Sequence, residues 1–298
     1  MFENKEMKVG IAPIGWSNDD MPELGADRTF EQCISEIALA GFDGTEVGGK
    51  FPHDPVQLRE AMELREIEIA SQWFSSFLIS TPYEENERAF VEKLDFLESV
   101  GAKRVNICEL TNCLFASEKS MFGRNKPLAN DEEWEWLCKG LNKLGEIATK
   151  RGFKLCYHHH MATVVQTIAE TKRLLENTDP RYVHLCFDSG HFALAGEDPL
   201  KAAELFSDRI AHVHLKDIRK AEMEEAVQEG FRFRGTVLTG CFTIPGDGFI
   251  DFPRLLQILD KSAYQGWLLI EAEQNPDLAN PLEYAMKARA YIRAITGI

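Results

Sequence analysis

The sequence predicts a closed (β/α)8 barrel of the TIM type. Short apolar runs that read as strands alternate with amphipathic helical stretches from end to end. This order favours parallel strands joined by crossover helices. There are about eight such units, the number that closes a barrel. No GxGxxG follows the first strand, which argues against the competing doubly wound sheet. Residues 1–298 are read as one domain, because no linker, low-complexity tract or repeat beyond the βα unit interrupts them.

The strands are expected at 8–16, 43–48, 68–75, 103–110, 153–160, within VHLCFDSGH (183–191), within IAHVHLKD (210–217) and at 266–273. Helices are expected at 29–39, 55–66, 84–100 and 164–176, each with apolar residues spaced to cover one face. Two connections are unusually long, 111–130 after the fourth strand and 218–248 after the seventh. The second contains EMEEAVQEGF, a short helix, and TIPGDG, a turn. Loops of this length are uncommon unless they serve a site, and both follow strand C-termini, the face on which barrel enzymes place their chemistry.

The chemistry-bearing residues follow from strand alternation. In VHLCFDSGH, Leu185 and Phe187 alternate with His184, Cys186 and Asp188. In IAHVHLKD, Val213 and Leu215 alternate with His212, His214 and Lys216. Successive strand residues point to opposite faces, so apolar packing outward sends Asp188, His214 and Lys216 inward. On the fifth strand Cys156, His158 and His160 share a face; on the eighth, Glu271 and Glu273 do. A buried carboxylate needs a cation or a partner. His158, Asp188, His214 and Glu271 therefore form a candidate set of metal ligands, and mixed nitrogen and oxygen donors suit Mn²⁺, Co²⁺, Zn²⁺ or Fe²⁺. Glu46, at the end of the second strand, is a candidate acceptor for substrate hydroxyls. Trp16 and Trp73, at the ends of the first and third, are candidate walls for an apolar ring face. Arg219, after HLKD, is a candidate ligand for a substrate oxygen. The alternation of VNICEL leaves the face of Glu109 open.

Composition narrows the class. A net charge of −15 excludes a nucleic-acid surface, which needs clustered Lys and Arg. No apolar run approaches the ~18 residues of a membrane span, and the polar N-terminus MFENKEMKVG shows no signal peptide. Seven cysteines without a CxxC pair suggest reduced thiols and a cytoplasmic location. A homo-oligomer is compatible with all of this.

DSGH, HVHLKD and the final IEAE resemble the last three strands of the xylose-isomerase-like barrels, a superfamily of sugar isomerases, epimerases and nucleases. The resemblance implies metal ligands from strands five to eight, and Asp188, His214 and Glu271 match the last three. His191 matches a residue that binds substrate hydroxyls or a further metal. The strand-five position, usually Glu, is His158, which here either binds the metal or acts as an acid. That change breaks the carboxylate pair of a symmetric epimerase. Nuclease chemistry would need further Asp and His ligands after strand seven, where GCFTIPGDG stands. Over essentially the whole chain, and most specifically in GIAPIGWSNDDMPELG, GTEVGGKFP, LCYHHHMATVVQT, FDSGHFALAG, HVHLKDIR and FTIPGDG, the sequence resembles the inosose dehydratase family. Ala162 stands where that family commonly has Gly. This resemblance implies a lyase of inositol catabolism that acts on a cyclic polyol ketone, with Mn²⁺ or Co²⁺ and with glutathione as cofactor. On this reading Glu271 or a nearby carboxylate is the base, and His158 or His160 is the acid, with Lys216 a second candidate. A sugar isomerase or epimerase of the superfamily is the alternative enzyme; a sugar-binding protein without turnover is the alternative of another class.

Overall fold

The computed structural model describes residues 7–298; the reading of a leaderless N-terminus rests on residues 1–6, outside the described residues. Eight parallel strands close into a barrel: β1 (Lys8–Ile11), β2 (Gly44–Val47), β3 (Glu68–Ser76), β4 (Arg104–Glu109), β5 (Lys154–His158), β6 (Val183–Asp188), β7 (Ile210–Leu215) and, after two short strands, β10 (Trp267–Ile270). Closure is made by β1 against β10, with Val9 opposite Leu268 and Ile11 opposite Ile270. The two short strands, β8 (Asp217–Ile218) and β9 (Phe242–Thr243), pair antiparallel above the barrel.

The alternation read from sequence sorts the two faces. Val105, Ile107, Leu155, Tyr157, Leu185, Phe187, Val213 and Leu215 are fully buried in the main core, under the surrounding helices. Each such side chain contributes ~1.5–3 kcal/mol when removed from water. Inside the barrel the filling changes along the axis. Small clusters, Cys156 with Cys186 and Ala211, and Ala70 with Trp267 and Leu269, fill the apolar part, the second reaching up to Ala12 at the mouth. Above them the interior turns polar, with Ser71, Asn106, His212 and His214 all buried. This polar layer on an apolar plug is what the sheet delivers to the mouth.

Strand ends are where the expectations shift. The first strand stops at Ile11, because Pro13 opens a 3₁₀ turn over Pro13–Gly15. The eighth stops at Ile270, so Glu271 and Glu273 lie just beyond it. The helix expected from residue 164 starts at Ile168, where Thr167 and Glu170 form a reciprocal cap. The loop 111–130 carries only the 3₁₀ turn Gly123–Asn125. Loop 218–248 carries the expected helix, Lys220–Glu229, and a second one that sequence reasoning missed, Phe233–Leu238. The two loops meet over the mouth: Met121 donates its backbone N–H to Phe231 O at 3.2 Å, and the rings of Phe115 and Phe233 lie 5.1 Å apart.

Candidate active site

The four candidate ligands converge. His158 and Asp188 end β5 and β6, His214 lies near the end of β7, and Glu271 follows β10. His214 Nδ1 lies 3.0 Å from Glu271 Oε2, 3.1 Å from His158 Nε2 and 3.8 Å from Asp188 Oδ2. His158 Nε2 lies 3.5 Å from Asp188 Oδ2. The two oxygens of Asp188 have separate tasks. Oδ1 accepts the backbone N–H of His191 and caps the short helix Ser189–Leu194. Oδ2 is buried without a hydrogen-bond partner, as is His158 Nδ1. An orphaned carboxylate oxygen facing imidazole nitrogens is an arrangement that a cation satisfies.

Lys216, wholly buried just past β7, supplies the fixed positive charge here. Its Nζ lies 2.8 Å from Glu273 Oε1, 3.0 Å from Glu271 Oε2 and 3.7 Å from Asp188 Oδ2. It also lies 2.9 Å from His191 Nε2 and 4.9 Å from the centre of the Phe242 ring. The carboxylates respond unequally. Burial raises Glu271, but Lys216 and His214 outweigh it and hold the group well below the ordinary range. Burial also raises Asp188, and there it prevails over Lys216. Glu273 is pushed up to about 7, by burial against the pull of Lys216 and with Glu271 adding to the rise. Burial holds His158, His160 and His191 well below the usual imidazole range, helped by their charged neighbours.

Beside this cluster opens a cavity of about 290 Å³. Its polar side is formed by His160, His214, Glu271, Glu273 and Asp20; its apolar side by Ile14, Val47, Trp73, Leu110 and Phe115. His160 donates from Nδ1 to Met161 O at 2.7 Å, and its ring lies against Phe115. Trp73 stands edge-on to His158 and His160 and donates from Nε1 to Ser75 Oγ.

Two residues expected at the substrate, Trp16 and Arg219, lie elsewhere. Trp16 is buried in the core with Nε1 donating to Glu36 Oε2 at 2.6 Å, because the chain turns at Pro13 before reaching it. Arg219 ties the outer loops together, donating to Gly240 O at 2.5 Å and Asp247 Oδ2 at 2.6 Å. His191 is fully buried beside His160, at a ring distance of 3.6 Å, meets Lys216, and stands close enough to His158, Asp188 and Glu271 to be a further donor. Glu46 does reach the cavity, but its Oε1 is occupied by four side-chain donors. Burial raises its carboxyl, yet His214 and His212 hold it low. Glu109 is buried away from the cavity, accepting from Ser76, Leu78 and Thr111. Sequence reasoning missed Asn106, Phe115 and the Asp19–Asp20 pair. Asp20, whose pKa is raised by burial, by Asp19 and by Glu271, sits in the SNDD stretch, and that run of polar residues after a strand was the available signal.

A barrel whose mouth gathers imidazoles and carboxylates from β5, β6, β7 and β10 is of the xylose isomerase-like class, and the profile described as "Xylose isomerase-like TIM barrel" matches residues 34–295. Among solved structures, the chain is similar to the IolI protein with a bound zinc atom (TM-score 0.72, 16% identity, 97% of this chain and 98% of that one). It is also similar to a probable 3-DHS dehydratase, AsbF, from Bacillus anthracis (TM-score 0.70, 13% identity, 96% and 98% covered). Among curated proteins, it is 52% identical to an inosose dehydratase of Clostridium perfringens over 99% of both chains. It is 49% identical to that of Geobacillus thermodenitrificans over the full length of both. The chain belongs to the inosose dehydratase family. All seven cysteines are free, and no described helix is long and apolar enough to cross a membrane.

If Lys216 balances the buried carboxylates, Lys216→Met should lower the stability of the metal-free protein by about 3–5 kcal/mol, the cost of an uncompensated buried charge. Urea unfolding in the presence of a chelator reads this as a lowered midpoint; an unchanged midpoint would show that the carboxylates are balanced by other groups.

Proposed function

We propose that the chain is a metal-dependent hydro-lyase that removes water from 2-keto-myo-inositol (scyllo-inosose), giving 3,5/4-trihydroxycyclohexane-1,2-dione in inositol catabolism. The observation that carries this reading is the convergence of His158, Asp188, His214 and Glu271, with the orphaned Asp188 Oδ2 among their donor atoms, beside a cavity that presents both a proton acceptor and a proton donor. The full-length relatives supply the substrate. The donors His158, Asp188, His214 and Glu271 fit a divalent ion, and their mixed nitrogen and oxygen chemistry suits Mn²⁺ or Co²⁺. When bound, such an ion polarises the ketone carbonyl and makes the neighbouring C–H more acidic. Glutathione is carried by family resemblance alone. The free cysteines suit a reducing, cytoplasmic setting.

The chain's own residues then divide the proton transfers. A carbonyl oxygen only accepts, so the 2.7 Å contact to Met161 O fixes the hydrogen of His160 on Nδ1. Nε2 is left with its lone pair at the cavity, and burial keeps the ring neutral. His160 is therefore set to take the α-proton, the reverse of the acid role expected from sequence. Glu273 lines the cavity and is steadied by Lys216 at 2.8 Å. Its protonated carboxyl hands a proton to the departing β-hydroxyl. Glu271, drawn towards His214 and Lys216, is committed to the cation cluster rather than to proton transfer. Trp73 and Phe115 cover the apolar face of the ring and keep water from the reacting carbons.

Anaerobic incubation with scyllo-inosose and Mn²⁺ should produce the ultraviolet absorbance of a conjugated dione enol, abolished by a chelator. No absorbance with any added metal, with or without glutathione, would contradict the assignment. Replacing His160 by Ala should lower kcat by roughly 10²–10⁴-fold, the usual worth of a general base, while Mn²⁺ binding measured by calorimetry stays intact. Unchanged turnover would reject the role given to His160.

A further inference from the structure

Below the cation cluster, Glu46 is the hub of a buried network. Its Oε1 receives Ser71 Oγ, Asn106 Nδ2 at 2.7 Å, His212 Nε2 at 3.0 Å and His214 Nε2 at 3.1 Å. The register of β2 against β3 shifts between Thr45 and Val47, so an irregularity in the strand falls at Glu46. Such bulges re-aim a side chain, often next to a site. We propose that Glu46 is a positioning residue for His214, fixing through Oε1 which imidazole nitrogen faces the cation cluster.

The hydrogen-bond inventory leads to this assignment. A carboxylate oxygen only accepts, and an amide Nδ2 only donates. The other orientation of Asn106 would set its carbonyl oxygen against the Glu46 carboxylate, an acceptor against an acceptor. With Asn106 donating, the Nε2 atoms of His212 and His214 that point at the same oxygen both carry hydrogen. His212, His214 and Glu46 lie close enough together to suggest a second cation site. The donors converging on Oε1 exclude one, because the same space cannot hold both N–H hydrogens and a cation. Only Nδ1 of His214 is then left to face Glu271, His158 and Asp188, at 3.0, 3.1 and 3.8 Å. A carboxylate behind a ligating imidazole fixes its tautomer and ring orientation, and removing such a partner typically costs 10–100-fold in metal affinity.

This inference rests on the metal reading above, and its test separates the two. Mn²⁺ affinity by calorimetry and the imidazole ¹⁵N signals of the metal-free protein are measured for the wild type, Glu46→Ala and Glu46→Gln, with His214→Asn assigning the His214 signals. The expected result is a loss of about 10–100-fold in Mn²⁺ affinity for E46A. A smaller loss, about three- to tenfold, is expected for E46Q, whose carbonyl can still accept. The His214 Nε2–H signal should be present in wild type and lost in E46A. Mn²⁺ affinity unchanged in both variants, with a raised KM, would overturn the proposal and restore Glu46 as a substrate ligand. Should E46A fail to fold, unchanged Mn²⁺ affinity in E46Q overturns it equally. If the wild type binds no Mn²⁺ the metal reading falls, and the ¹⁵N signals decide the place of Glu46: a His214 hydrogen on Nε2 that is present in the wild type and lost in E46A supports it, and a wild-type signal on Nδ1 alone refutes it.

Discussion

Asp188, Glu271 and Glu273 bring three carboxylates together at the largely buried floor of the barrel mouth, and the rest of the site is arranged around balancing their charge. Lys216 is the one lysine or arginine that touches all three among the described residues. Its ammonium neutralises part of the charge and pulls Glu271 and Glu273 towards one side. Asp188 Oδ2 is left facing the imidazole nitrogens. Because the deficit falls at one place, a divalent cation there would complete the balance instead of adding to it.

The fold makes this arrangement affordable in a structural sense by layering the barrel interior. Apolar residues, Trp267 and Leu269 among them, fill the lower part, so the polar layer above rests on a dry plug and every donor in it must be satisfied from within. Glu46 meets that demand for four donors at once. The long loops after β4 and β7 close the mouth from above, with Phe115 and Phe233 meeting over His160. Asp217 holds the second of these loops down by accepting the backbone N–H groups of Gly246, Gly248 and Ile250.

Most of the barrel and the centre of the site were legible because alternation along a strand is a strict geometric rule. Once Leu185, Phe187, Val213 and Leu215 pack outward, Asp188 and His214 have nowhere to point but in. The rule stops where the strand does. Trp16 was placed by counting along a strand that ends at Ile11, before the turn at Pro13, so it falls in the core. Arg219 lies in a loop whose path depends on Asp247 and Gly240, residues that sequence distance does not connect to it. Glu46 sits at a register shift, which alternation alone cannot reveal. His160 reaches the cavity, but which of its nitrogens carries the hydrogen depends on one backbone carbonyl, and only coordinates show that contact.

The most direct test of the account is a crystal of the protein grown with Mn²⁺ and examined by anomalous scattering at the manganese edge. The account predicts a single strong peak bounded by His158, Asp188, His214 and Glu271, with Lys216 beside it and outside the coordination shell. A peak at another place in the barrel, or a fully ordered mouth with none at saturating Mn²⁺, would contradict it.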